Sequence, residues 1–191
     1  ANDVRQNINP FENTKYKWYG SDVEVCIGDS YQYLLKDFIE KYKEDKDSTI
    51  VVTTTKAKTD MLNFDIQNKL ISEGLLDNKQ PYIVKPSSTK GKPYKMYVGD
   101  NITVLKNNQT SREFNDKKLG DYLTEDEYGN VVYMIATEKM PIFNGEIYTI
   151  KDVYEEGFVL LTDGKNDIIV EVNLLECCLA YASNCHKLQG S

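Results

Sequence analysis

The sequence predicts an α/β fold in which an open parallel sheet with crossover helices is interrupted by a small β unit of barrel type. Three observations support this prediction. Residues 49–55 form a continuous apolar and β-branched run, which is typical of a strand buried on both faces. Helical periodicity lies on either side of that run, over about 30–42 and 58–71. From residue 96 to the low 170s, short strand-like segments alternate with turn pairs.

The first part of the chain supplies the helices of this frame. Val23 to Ile27 alternates and predicts a short strand, and Ser30 is placed to cap the helix after it. The apolar stripe of that helix comprises Leu34, Leu35, Phe38, Ile39 and Tyr42. A second helix is expected from about Lys58, with Gly74 as its stop. Its apolar stripe comprises Met61, Leu62, Ile66, Leu70 and Ile71.

The middle of the chain has a different pattern. Residues 81–95 are rich in Pro, Ser, Gly and Lys, which predicts a loop, and residues 109–130 form a polar excursion. The expected strands are Met96–Val98, Ile102–Leu105, Val131–Ala136, Glu146–Val153, Phe158–Thr162 and Asp167–Val172. A last strand, Leu179–Ala182, is expected to lead into a turn.

Composition sets limits on the class of protein. A chain of 191 residues with 40% apolar residues supports one domain, or one domain carrying a smaller inserted one. The net charge of −7 argues, by itself, against a free-standing nucleic-acid binder. The four cysteines form no C-x-x-C pair, so no zinc or other metal site is expected, and a reduced, cytoplasmic chain is the simplest interpretation. The sequence contains no signal peptide or long apolar run, so no membrane association is expected.

The final residues carry the most specific motif. Ala182-Ser-Asn-Cys-His-Lys-Leu-Gln-Gly-Ser191 resembles motif V of superfamily 1 helicases, A-x-T-x-H-K-x-Q-G-S, in the RecD-like and Dda-like group. Asn184 stands where that family usually has Thr, and its amide can still donate a hydrogen bond to a phosphate.

Four other segments agree with this resemblance in order and spacing. Val4-Arg-Gln6 is similar to the family's R-Q element, and Val51-Val-Thr-Thr-Thr-Lys56 followed by Met61-Leu-Asn63 is similar to motif IV. The segment from Val98 to Asn108 resembles the G-D-x-V-x-x-x-x-N-D opening of the family's SH3-like insert. Ile142-Phe-Asn-Gly-Glu-Ile147 resembles the later N-G-D/E signature of that insert.

The resemblance implies a fold and a domain organisation. Residues 1–98 and 173–191 would form an incomplete second RecA-like motor domain, and residues 99–172 would form an SH3-like β insert. The implied protein is an ATP-dependent DNA helicase that translocates 5′ to 3′ on single-stranded DNA.

The resemblance also implies roles for individual residues. Arg5 would reach the γ-phosphate of ATP as the catalytic cation, because a guanidinium can bind phosphate oxygens bidentately. Gln189 and Gly190 would lie near ATP and Mg²⁺. The residues implied to contact the backbone of single-stranded DNA are Thr55, Lys56, Asn184, His186 and Lys187.

The sequence contains no G-x-x-x-x-G-K-[ST] phosphate loop. The resemblance therefore implies that a first RecA-like domain outside this sequence binds most of ATP and Mg²⁺, and that the chain alone lacks ATPase activity. Other replication, repair or recombination proteins are further expected partners. Two alternatives remain open: a helicase-like module that binds DNA without hydrolysing ATP, and a β-barrel module that binds a partner protein.

Structural roles compete with the implied ones. Arg5 could be a solvated surface residue, His186 could be structural, and Thr55 could simply end a strand. Asn63 is expected to be structural, either capping or packing within its helix. Turn formation is the expected role of the two pairs Gly99-Asp100 and Asn144-Gly145.

Overall fold

The computed structural model describes residues 16–18, 24–26, 30–46, 49–77, 79, 81–84, 94–114, 119–133, 138–155 and 157–184. Backbone contacts divide the chain into two compact units, residues 1–48 and 49–191. The described part is a mixed α/β structure with more strands than helices.

The first unit contains a short hairpin and one helix. Strands β1 (Tyr16–Trp18) and β2 (Glu24–Cys26) pair antiparallel, and helix α1 follows over Ser30–Glu44. The strand predicted near residues 23–27 and the helix after it are therefore confirmed. Phe38 and Tyr42, one helical turn apart, stack with their ring centroids 5.6 Å apart, and both are buried.

The second unit begins with a strand, a helix and a parallel partner strand. Strand β3 (Val51–Thr53) leads directly into helix α2 (Lys56–Ser72), and Gly74 follows the helix with φ of +70°. Strand β14, the last described strand, spans Ala182–Asn184 and pairs parallel with β3. The second helix and its glycine stop are present as predicted, and of the expected parallel sheet the described residues contain this one parallel strand pair.

Two predictions about this region are wrong in detail. Val52 is 56% exposed while Val51 and Thr53 are buried, so β3 alternates and is not buried on both faces. Met61, predicted to lie in the buried stripe of α2, is 49% exposed. The polar residues Asn63 and Gln67 are buried with Leu62, Ile66 and Leu70 instead, so hydrophobicity alone misplaces the inward face of the helix.

The rest of the second unit is built around a six-stranded antiparallel sheet. Its strand order is β13-β6-β10-β11-β12-β7. In chain order these strands are β6 (Asn101–Val104), β7 (Arg112–Glu113), β10 (Ile147–Tyr154), β11 (Phe158–Thr162), β12 (Asp167–Glu171) and β13 (Cys177–Leu179). The pairing of β13 with β6 extends this sheet beyond residue 172, and the predicted strand 179–182 is divided between β13 and β14.

Two short hairpins accompany this sheet. Strands β4 (Tyr82–Val84) and β5 (Tyr94–Met96) pair antiparallel, so the range 81–95, predicted as a loop, has a strand at each end. Strands β8 (Leu123–Glu125) and β9 (Val131–Tyr133) form a hairpin that begins in the predicted polar excursion. Two 3₁₀ turns, Leu119–Asp121 and Val172–Leu174, complete the described elements.

The core of the six-stranded sheet centres on β11 and β12. Phe158, Leu160 and Ile169 form a buried cluster. The intervening residues of the same strands, Val159, Leu161, Ile168 and Val170, are also at most 1% exposed. Both faces of this strand pair are therefore covered, and burial of that apolar area is the main stabilising contribution to the unit.

Candidate nucleic-acid interface

The carboxyl ends of β3 and β14 meet at one edge of their parallel sheet. In the register of the pair, Ala182 lies opposite Val51 and Asn184 lies opposite Thr53. Helix α2 starts at Lys56, with only two residues between it and the end of β3. Thr55, Lys56 and Asn184 are therefore brought to the same edge, which in open α/β sheets is the edge where ligands bind.

Thr55 caps the helix that starts at this edge. Its backbone is extended, with φ of −137° and ψ of 148°, and its Oγ1 accepts a hydrogen bond of 3.4 Å from the backbone N–H of Lys58. The carbonyl oxygen of Thr55 accepts from both the N–H and the hydroxyl of Thr59, each at 3.0 Å. Thr55 thus has a structural role as an N-cap, and its side chain remains exposed.

The first turn of α2 has an unusual charge pattern. It carries Lys56 and Lys58, both exposed, and contains no acidic residue. A helix N-terminus is the positive end of the helix dipole, so each lysine there is disfavoured by about 0.3–1 kcal/mol. An anion bound at this turn would offset that cost, since it would interact favourably with the lysines and with the free N–H groups.

A hydroxyl pair joins β3 to α2 just behind this turn. The hydroxyls of Thr53 and Thr59 lie 2.5 Å apart, and Thr53 Oγ1 also lies 3.5 Å from the carbonyl oxygen of Ser183. Thr53 is 7% exposed. These contacts connect the end of β3, the first turn of α2 and the end of β14 through one side chain.

Asn63 fixes the start of β14. Its Nδ2 donates to the carbonyl oxygen of Ala182 at 3.1 Å, and its Oδ1 accepts from the N–H of Ala182 at 2.7 Å. Asn63 is 5% exposed and Ala182 is 3% exposed, so water cannot replace these bonds. The structural role predicted for Asn63 is confirmed, although the contact is with a strand and not within its own helix.

Asp100 is a buried carboxylate rather than only a turn former. It is fully buried, its Oδ2 accepts from Gln67 Nε2 and from the N–H of Tyr97 at 2.7 Å each, and its Oδ1 accepts from the hydroxyl of Tyr181 at 2.5 Å. Burial raises the pKa of Asp100 to about 6, and the three hydrogen bonds partly oppose that rise. Gly99, its neighbour, has φ of +95°, which agrees with the predicted turn.

No pattern in the sequence indicates that Asp100 is the centre of such a network. A Gly-Asp pair between two strands predicts a turn, and the distance along the chain to Gln67 and Tyr181 hides their contact. Asn144 and Gly145 do behave as turn residues: Gly145 has φ of +95°, and the N–H of Asn144 donates to Asn107 Oδ1 at 2.8 Å.

The remaining predicted site residues lie outside the described part of the chain. These residues are Arg5, His186, Lys187, Gln189 and Gly190. Their roles toward ATP, Mg²⁺ and DNA stay predictions. Within the described ranges, no group of three or more His, Cys, Asp or Glu side chains is arranged to hold a metal ion.

Comparisons with known proteins add no identification. No protein-family model matches the chain, and no curated protein matches it significantly. Among the helices that the structure describes, none has the length and apolar character needed to cross a membrane.

Proposed function

We propose that this chain is the second RecA-like motor domain, with an SH3-like β insert, of a RecD-like superfamily 1 DNA helicase. In this proposal the edge formed by Thr55, Lys56 and Asn184, continued by His186 and Lys187, binds the backbone of single-stranded DNA. Arg5, Gln189 and Gly190 face ATP and Mg²⁺, which a first motor domain holds through its phosphate loop.

The observation that carries the proposal is the parallel pairing of β3 with β14. Two segments more than 120 residues apart in sequence, one similar to motif IV and one to motif V, end side by side at one sheet edge. That is the arrangement that two cooperating phosphate-binding turns require.

The charge pattern at this edge supports the same function. The chain is acidic overall, with a net charge of −7, yet the first turn of α2 carries two exposed lysines and no carboxylate. Local basic charge at a helix N-terminus favours an extended polyanion over a neutral ligand.

The test is binding of a fluorescent oligo(dT) to the full chain, measured by anisotropy over a series of salt concentrations. Lys56→Ala is expected to weaken binding and to reduce the slope of log K against log salt by about 0.7, the value for one phosphate contact on a single strand. Lys69→Ala, in the last turn of the same helix, is the matched control because it removes the same charge from the opposite end. Equal effects of the two substitutions would contradict a localised site.

The ATP-dependent part of the proposal needs a separate test. Together with a phosphate-loop motor domain, the chain is expected to show ATPase activity stimulated by single-stranded DNA, and Arg5→Ala should abolish the stimulation while leaving oligo(dT) binding in place. DNA binding without any ATP hydrolysis would favour the alternative of a non-hydrolysing helicase-like module. Absence of oligo(dT) binding would favour the protein-interaction module.

A further inference from the structure

Hydrogen bonds hold each of the three consecutive residues 180–182, which lead into β14. The N–H of Ala180 donates to the carbonyl oxygen of Asn101 in β6 at 2.8 Å. Tyr181 is bound at two points, since its carbonyl oxygen accepts from the N–H of Val51 at 2.9 Å and its hydroxyl donates to Asp100 at 2.5 Å. Ala182, the next residue, is the one bound by Asn63 of α2. Contacts from the six-stranded sheet and from the β3–α2 segment therefore converge on three consecutive residues.

The side chain of Asp100 connects the six-stranded sheet to the β3–α2 segment. It lies at the entry to β6, and besides Tyr181 it binds Gln67 of α2. Tyr181 is 1% exposed and Asp100 is fully buried, so neither can exchange its partner for water. Hydrogen bonds to a carboxylate are stronger than those between neutral groups, and this one lies in a low-dielectric interior.

We propose that Asp100 is a positioning residue for the candidate interface: through Tyr181 it fixes the entry of β14 and thereby sets Asn184 beside the end of β3. The role toward DNA rests on the proposed function, whereas the coupling between Asp100 and β14 does not. The β3–β14 ladder is only three residues long, so its register depends on how each strand enters it.

The primary test is Tyr181→Phe, which removes one hydroxyl and leaves the ring in place. Backbone amide hydrogen exchange is expected to accelerate at least tenfold at Ala182 and Ser183, and to change less than twofold at Val159 and Ile169 in β11 and β12. Oligo(dT) affinity should fall about fivefold or more. A general loss of stability would accelerate exchange everywhere, so local acceleration separates positioning from a merely structural role.

Tyr148→Phe is the matched control. It also removes a tyrosine hydroxyl, one that donates to Glu146 at 2.9 Å within the sheet, and it is expected to leave β14 exchange and oligo(dT) affinity unchanged. Uniform acceleration in Tyr181→Phe, no acceleration, or the same β14 response in Tyr148→Phe would overturn the proposal.

Substitutions at Asp100 give an independent measure. An amide in place of the carboxylate can accept from Tyr97 and Gln67 with its oxygen and donate to the Tyr181 hydroxyl with its nitrogen. Asp100→Asn is therefore expected to keep slow β14 exchange, and Asp100→Ala to lose it.

Local acceleration with unchanged oligo(dT) affinity would overturn the role toward DNA. If wild type itself does not bind oligo(dT), the proposed function fails, while local acceleration would still support the coupling.

Discussion

The side-chain amide of Asn63 forms hydrogen bonds with both the N–H and the carbonyl oxygen of Ala182, 2.7 and 3.1 Å long. This contact joins helix α2 to strand β14 across 119 residues of sequence. A side-chain amide has one donor and one acceptor side, so it can satisfy both backbone groups of one residue. Few other residue types can do this, which explains a polar residue on the buried face of the helix.

Replacing Asn63 by Leu is expected to destabilise the chain by about 2–4 kcal/mol, because two buried backbone groups of Ala182 lose their partners. The free energy of unfolding in urea measures this effect. Asn68→Leu is the control, since Asn68 is an exposed asparagine on the same helix, and it should change stability by less than about 0.5 kcal/mol. Similar losses in the two variants would mean that the hydrogen bonds to Ala182 contribute little.

The buried carboxylate of Asp100 predicts an unusual pH dependence. Its pKa is raised from 3.8 to about 6 in the folded chain, mainly by burial. Because the folded-state pKa is raised, the protonated Asp100 carboxyl contributes stability that is fully present below about pH 4. This contribution is lost as the pH rises through about 6 and the group ionises. Wild type is therefore expected to lose roughly 2 kcal/mol relative to Asp100→Asn between pH 4 and pH 7.5.

Urea unfolding of both proteins across that pH range tests the sign. Asp126→Asn is a control in which stability should change with pH in the opposite sense. The pKa of the exposed Asp126 is lowered by hydrogen bonds, of which the one from the Asn130 side chain is the largest cause. For Asp126, wild type should lose stability relative to its variant only as the pH is taken below about 4, because its folded-state pKa lies below 3.8. A wild-type advantage over Asp100→Asn that grows with pH would contradict the prediction for Asp100.

Local patterns in the sequence predicted elements better than they predicted contacts. Helical and alternating periodicity located both helices and most strands of the six-stranded sheet, since these depend on side-chain spacing over a few residues. The prediction of a loop over residues 81–95 was wrong at both ends of that range. Its many Pro and Gly residues favour a loop, although a three-residue strand lies at each end.

The candidate site was predictable only in part. Motif-like segments point to Thr55 and Asn184, and a parallel sheet was expected, but the pairing of β3 with β14 was not predicted. Gln67 and Asp100 were not identified as partners, because each is unremarkable in its own segment and they become a network only when α2 packs near the turn before β6. Long-range polar contacts of this kind leave no periodicity in a single sequence.

Gly99 and Gly145 both have φ of +95°, and substitution should destabilise the chain more at Gly99 than at Gly145. A Cβ there would lie 3.1 Å from Leu76 Cδ1, whereas at Gly145 it would meet nothing within 4 Å. Gly145→Ala is expected to cost about 1 kcal/mol from backbone strain alone, and Gly99→Ala about 1–3 kcal/mol more because Leu76 is buried and must move. Equal changes in the free energy of unfolding would show that Leu76 moves without cost.

Thr55 has an observed role as a helix cap and a proposed role in DNA binding, and one substitution separates the two. Asp is as good an N-cap as Thr and adds a negative charge at the positive end of α2, so Thr55→Asp should unfold at the same or a higher urea concentration than wild type. The same charge repels phosphate, so oligo(dT) affinity is expected to fall at least tenfold at low salt. Thr55→Ala should show the reverse pattern, losing about 1 kcal/mol of stability with a smaller change in affinity. Undiminished binding by Thr55→Asp would remove this turn from the DNA-binding surface, because a carboxylate beside a bound phosphate cannot be neutral in its effect.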